Sequence, residues 1–214
     1  MKRKKNTTVP LKTLLIVTAT EAEAVFFSQM RKDCRYTNLH VEWASSANNL
    51  EELVNFAALR RRIGKYTGVW AVFGFNDYAL SVDDVRTQRK LAEQKKVNLA
   101  WAYPTFSLWY LLHGAMPDRL LTSAEAIERD VARLVPGYEP TVYYLLTEGQ
   151  AFHLKLFPAK ARAGLNASTY SGREAERLGL PPTNLPVLIN EISEYCGLAD
   201  ITHNQKQIGL KRNS

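Results

Sequence analysis

Short apolar runs alternate with longer helix-period segments through the first half of this chain, and that alternation restricts its fold more than any other feature. Thr13–Val17, Leu39–Trp43, Val69–Phe73 and Val97–Trp101 are compact, apolar and rich in β-formers, so each reads as a strand. Between them, Glu21–Arg31, Leu50–Ile63 and Asp83–Lys95 carry apolar residues at helical spacing. Leu50, Leu53, Val54, Ala57 and Ala58 make one such stripe. Strand and helix in strict succession predict right-handed crossovers and an α/β fold, a mostly parallel Rossmann-like sheet flanked by helices with Thr13–Val17 at its centre. After Pro104 the run Thr105–His113 is apolar on most sides and predicts a packed helix. The remainder reads as helical, over Ser123–Leu134, Tyr143–Phe157, Ala159–Leu178 and Leu185–Cys196, with Pro181 and Pro182 separating the last two. The expected organisation is a basic arm over 1–12, an α/β core over 13–117, a helical part over 118–200 packed on it and a basic tail over 201–214.

Of 214 residues, 46% are apolar, enough to bury a substantial core. Basic residues outnumber acidic ones 28 to 21, a net charge of +7. The excess is clustered. Lys2, Arg3, Lys4 and Lys5 open the chain, Arg60, Arg61 and Arg62 end a helix, and Lys206, Lys211 and Arg212 lie near the last residue. Such clusters suit an anionic partner, nucleic acid above all, although basic tails also serve solubility alone. On the helical half, Lys155, Lys160, Arg162 and Arg173 suggest a second positive surface, with Tyr78, Tyr143, Tyr144 and Tyr170 as stacking platforms. Cys34 and Cys196 stand far apart without metal or redox spacing, which predicts a reduced cytoplasmic interior. No apolar run has the length of a membrane span, so no membrane partner is expected.

The chemistry should lie where strands end. Val69–Phe73 stops at Gly74-Phe75-Asn76-Asp77, a turn at the carboxyl edge of a parallel sheet. Metal-dependent phosphoryl-transfer sites place alternating aspartates there, because strand side chains repeat every second residue. Gly74 and Asn76 supply no carboxylate; Asp77 does. Glu21 and Glu23 follow the first strand and Asp83 and Asp84 open a later helix. Acids in a first turn complement the helix dipole, and they can also bind a metal. His113 ends an apolar helix and is either a core histidine or a general base. His40, His153 and His203 show no metal spacing. Ser45, Ser46 and Asn48 offer N-cap chemistry for the helix that follows.

Four segments together resemble the RloB-like proteins, small Toprim-type proteins of bacterial defence loci often encoded beside an AAA-type ATPase. Leu15-Ile16-Val17-Thr18-Ala19-Thr20-Glu21-Ala22-Glu23-Ala24-Val25-Phe26-Phe27 is similar to that family's first strand and E-G-E-K-T-E-P-x-Y-F loop. Trp70-Ala71-Val72-Phe73-Gly74-Phe75-Asn76-Asp77 is similar to W-x-V-F-D-x-D-D. The segment Tyr103–His113 is similar to N-P-x-F-E-x-W-L-L-L-H, and Pro182–Leu188 to P-S-T-N-V-x-x-L. The resemblance implies a Toprim-type core and a metal-dependent nuclease ancestry. Departures fall on the acids: Thr18, Thr20, Gly74, Asn76 and Ser107 stand where the family has carboxylates, leaving Glu23 and Asp77. The expectation is therefore a catalytically inactive subunit with no resident metal or cofactor, binding nucleic acid or a protein partner such as an AAA-type ATPase in an antiviral defence or mobile-element complex. The alternative is an active nuclease in which Glu23 and Asp77 hold Mg²⁺, which would polarise the phosphodiester and position water.

Overall fold

The computed structural model describes residues 12–205. The basic clusters at Lys2–Lys5 and at Lys206, Lys211 and Arg212 lie outside those residues. Four strands, β1 (Leu14–Thr18), β2 (Leu39–Trp43), β3 (Gly68–Gly74) and β4 (Asn98–Ala102), form one sheet in the order β2-β1-β3-β4. Every pairing is parallel, with Ile16 opposite both Val41 and Trp70. All five residues of β1 and all seven of β3 are buried, as a central pair covered on both faces requires.

The period of two divides the core. Leu14 and Ile16, Trp70 and Val72, and Ala100 and Ala102 face one side; Leu15 and Val17, Ala71 and Phe73, and Leu99 and Trp101 face the other. Helices α2 (Leu50–Gly64) and α3 (Val82–Lys95) cover the second side. The first is covered by α1 (Glu21–Asp33), α4 (Ser107–Leu111), α5 (Ala124–Leu134) and the later helices. These are α6 (Val142–Leu146), α7 (Phe152–Leu156), α8 (Lys160–Leu178) and α9 (Leu185–Cys196). Because α1 leaves β1 toward one face and α3 leaves β3 toward the other, β1 and β3 are neighbours whose connections diverge. Their carboxyl ends form the switch point at which open α/β sheets bind ligands.

Three expectations need correction. The helix expected over Tyr143–Phe157 is two short helices. Gly149 lies under the Tyr144 ring, where a Cβ would come within 2.7 Å of Cε1, and its N–H donates to the Tyr144 carbonyl at 2.7 Å, closing a turn instead of continuing the helix. The apolar helix over Thr105–His113 contracts to α4, with tighter turns through Gly114. The N-cap of α2 is Asn49, whose Oδ1 accepts the Glu52 N–H at 2.9 Å; Ser45, Ser46 and Asn48 precede it.

The Pro182–Leu188 segment finishes the sheet edge at β4. Asn184 behaves as a fragment of strand: its Oδ1 accepts the Trp101 N–H and its Nδ2 donates to the Leu99 carbonyl, each at 2.8 Å. Thr183 Oγ1 donates to the Trp101 carbonyl at 2.8 Å, and the Tyr103 N–H donates to the Pro182 carbonyl at 2.8 Å. Backbone groups that an edge strand would leave open are satisfied by one short segment. Ser171 of α8 donates to the Thr183 carbonyl at 2.8 Å and ties the helical part to that edge. Asn184→Ala removes a donor and an acceptor together, so unfolding free energy should fall by about 2–4 kcal/mol in denaturant titration. Asn184→Asp, which keeps the acceptor and loses the donor, should fall in between.

Candidate functional site

The carboxyl ends of β1 and β3 carry the residues singled out by sequence. Thr18, last in β1, is fully buried, and its hydroxyl donates to the Thr20 carbonyl at 2.8 Å. Thr20 then caps α1, accepting the Glu23 N–H at 3.3 Å while Glu23 Oε2 accepts the Thr20 N–H at 3.1 Å. This is a capping box, with the acid at the third helical position. At the end of β3, Gly74 leads into a 3₁₀ turn over Phe75–Tyr78. Asp77 Oδ2 accepts the Gly74 N–H at 2.6 Å, and the Asn76 N–H donates to the Pro104 carbonyl at 2.9 Å. Both surviving acids therefore spend one oxygen on a backbone amide, as acids in a first turn commonly do.

The same two acids also meet. Glu23 and Asp77 share a cavity of about 200 Å³ with Thr20, Ser107, Tyr110 and Tyr138. Glu23 Oε1 is buried without a hydrogen-bond partner. Burial, and then the nearby Asp77 charge, hold the Glu23 carboxyl well above the usual range. Burial lifts Asp77 to about 6, against hydrogen bonds from Gly74 and Glu23 that lower it. Two neighbouring carboxyls, one of them fully buried, do not both ionise readily, so the pair holds a proton to higher pH than free carboxyls would. Across the cavity the Ser107 hydroxyl lies 3.1 Å from the Tyr138 hydroxyl, and Tyr138 stacks on Phe152 at 5.2 Å. Ser107 is buried where the resemblance implies a glutamate, and the Tyr138 hydroxyl meets it.

A divalent ion needs one or two well-placed carboxylates, and the resemblance implies them at positions 18, 74 and 76. Thr18 spends its hydroxyl on backbone, Asn76 is exposed, and Gly74 has no side chain. Nor is there room to restore one cheaply at Gly74. A Cβ there would lie 3.0 Å from the Phe106 nitrogen and 3.1 Å from the Thr105 Cα. No group of three or more His, Cys, Asp or Glu suited to a metal occurs among the described residues. Positions 18, 74 and 76, as they stand, do not fit the ion.

The other candidates separate. His113 is a core histidine: its Nδ1–H donates to the Trp109 carbonyl at 2.9 Å, its ring packs on Trp109, and burial pushes it down to about 4. It does not line the acid cavity. Arg60 is held by Glu42, with Nη2 2.7 Å from Oε1, whereas Arg61 and Arg62 line a cleft beside α3. On the helical half, Lys155 and Arg162 are exposed, Lys160 reaches Ser193 at 3.3 Å, and Arg173 is occupied by Glu174 and the Pro117 carbonyl. The expected tyrosine platforms reduce to Tyr143. Tyr144 and Tyr170 are buried, Tyr170 accepting the Leu121 N–H at 2.9 Å, and Tyr78 is half-buried. Trp43, not singled out as exposed, has 42% of its surface open.

Sequence reasoning missed a buried pair. His153 Nδ1 lies 2.9 Å from Asp33 Oδ2, while Gln29, one helical turn earlier on α1, holds the Leu145 and Gly149 carbonyls at 3.0 Å. The i, i+4 spacing of Gln29 and Asp33 on one helix face was the available signal.

The sequence model of the family described as RloB-like protein matches residues 14–192. No curated protein and no solved structure matches the chain. No helix among the described residues is long and apolar enough to cross a membrane.

Two outcomes test this site. Both carboxyl pKa values are raised on folding, so the native state holds protons that the unfolded chain releases above pH ~4. The stability associated with Asp77 is present in acid and is lost as pH rises through about 6, and that of Glu23 has the same sign. Glu23→Gln keeps the acceptor for Thr20 and removes one charge. It should be more stable than the parent at pH 8, by on the order of 1 kcal/mol, and nearly equal at pH 5. Parallel melting curves at both pH values would contradict a shared proton. Gly74→Asp should destabilise by about 1–3 kcal/mol, because the Thr105–Phe106 backbone occupies the space.

Proposed function

Since the chain belongs to the RloB-like family, we propose that it is a catalytically inactive, Toprim-type member that binds nucleic acid as a subunit of an antiviral defence or mobile-element complex. One observation carries this reading: at the switch point between β1 and β3, Thr18, Gly74 and Asn76 stand at the acid positions, and backbone atoms crowd Gly74. A nuclease scaffold without its carboxylates retains the shape and charge that hold a polynucleotide and loses the cation that cleaves it. Arg61 and Arg62, which join no ion pair among the described residues, support the binding half. A protein partner, an AAA-type ATPase in the arrangement the resemblance implies, would supply the energy-dependent step.

A second reading, an active metal-dependent nuclease with Glu23 and Asp77 as displaced acids, draws on the cavity those two share. Labelled DNA and RNA incubated with purified protein and Mg²⁺ or Mn²⁺ decide between them. The inactive reading expects retention of the polynucleotide in a mobility shift and no products above a no-protein control. Turnover that stops with chelator and in Asp77→Asn would establish the second reading in its place.

A further inference from the structure

The amino-terminal edge of the sheet, opposite the acid cavity, carries a charge arrangement with no structural use. There the carboxyl ends of α2 and α3 lie side by side and enclose a cleft of about 600 Å³. Arg61, Arg62, Lys95 and Lys96 line it with the amides Asn55 and Gln94, and no acidic side chain does. None of these four cations joins an ion pair among the described residues, whereas Arg35, Arg60, Arg86, Arg133, Arg173 and Arg177 all do. Lys95 is anchored on Asn55 of the facing helix.

Basic residues in a last helical turn ordinarily answer the helix dipole. The magnitudes exceed that need. Each helix end carries roughly half a negative charge, so two ends amount to about −1 against four full positive charges. Lys65 and Lys96 cap the two helices in the left-handed region, at φ 52° and 57°, where glycine would be the unstrained choice. The chain accepts a lysine at each cap and concentrates charge where neutral caps would serve.

From this we infer that the α2–α3 cleft is a binding site for the phosphate backbone of a polynucleotide, with Arg61, Arg62, Lys95 and Lys96 contacting phosphate oxygens and Asn55 and Gln94 contacting phosphate or sugar. The inference rests on the nucleic-acid-binding reading above and gives that reading a surface, remote from the degenerate catalytic edge. Its concave shape suits a linear chain of phosphates better than a flat anionic membrane. Planar guanidinium groups and flexible amines on two walls can grip successive phosphates without reading bases, so binding should be salt-dependent and nearly independent of sequence.

Fluorescence anisotropy with the full chain and labelled single- and double-stranded oligonucleotides tests it. The comparison is between Arg61→Gln/Arg62→Gln/Lys95→Gln/Lys96→Gln and a control of equal charge, Arg31→Gln/Lys32→Gln/Arg119→Gln/Arg129→Gln, which alters exposed cations elsewhere. The cleft variant should lose at least about tenfold in affinity, and the slope of log K against log salt should fall by about 3, for four phosphate contacts at ~0.7–0.9 each. The control should stay within about threefold, and the charge-retaining Arg61→Lys/Arg62→Lys should keep the parental slope, which separates lost charge from lost fold. Equal losses in the two quadruple variants, or an unaffected cleft variant, would overturn the site while leaving nucleic-acid binding in place. A parent protein that binds no oligonucleotide would remove both. Tighter binding to anionic phospholipid vesicles or to poly-glutamate than to oligonucleotide, lost in the cleft variant, would reassign the cleft to another partner.

Discussion

The pairing of β1 with β3 governs everything else in this structure. Each strand is buried along its full length, with apolar side chains committed to both faces. Polar chemistry can enter only where the strands stop and their connections part. That leaves a few positions, Thr18 to Glu23 after β1 and Gly74 to Asp77 after β3, for any reactive group the sheet presents. What stands there decides what the protein can do, and here it is mostly hydroxyl, amide and glycine. The acids that remain are bound to backbone amides and lean on each other within a cavity also walled by Tyr110 and Tyr138.

Packing closes the carboxyl ends of these strands around the positions where acids are absent. The Thr105–Phe106 backbone lies against Gly74, Ser107 meets Tyr138, and the Asn76 amide is tied to Pro104. These contacts join the β3 turn to the segment leading into α4, so the carboxyl edge of β3 is a packed junction. The Asn184 side chain does a similar service at β4, where it completes the hydrogen bonding that another strand would otherwise supply. Conversely, the α2–α3 cleft on the opposite edge holds four cations that join no ion pair among the described residues.

Much of this was legible in the chain. The strands follow from apolar runs of strand length, and α5 and α9 from stripes at helical spacing and nearby punctuation, because burial on both faces and helix periodicity are local properties. The meeting of Glu23 and Asp77 was not legible as geometry: they are distant in sequence and become neighbours only when β1 and β3 pair. Exposure was misjudged at Tyr144 and Tyr170 because later helices cover them, a tertiary fact that composition does not encode. The break between α6 and α7 depends on Gly149 seating under a ring, and one glycine in a helical pattern does not announce that contact. Lys95 and Lys96 look like ordinary dipole partners until α2 is seen to bring Arg61 and Arg62 alongside.

A titration of Mn²⁺ into the protein, followed by the relaxation of water protons, addresses the central claim most directly, since it reports ion binding whether or not any substrate is cut. The account predicts no saturable site through the millimolar range and an identical curve for Asp77→Asn. One ion per chain bound to the parent, and lost from Asp77→Asn, would show that the switch point still holds a metal and would contradict it.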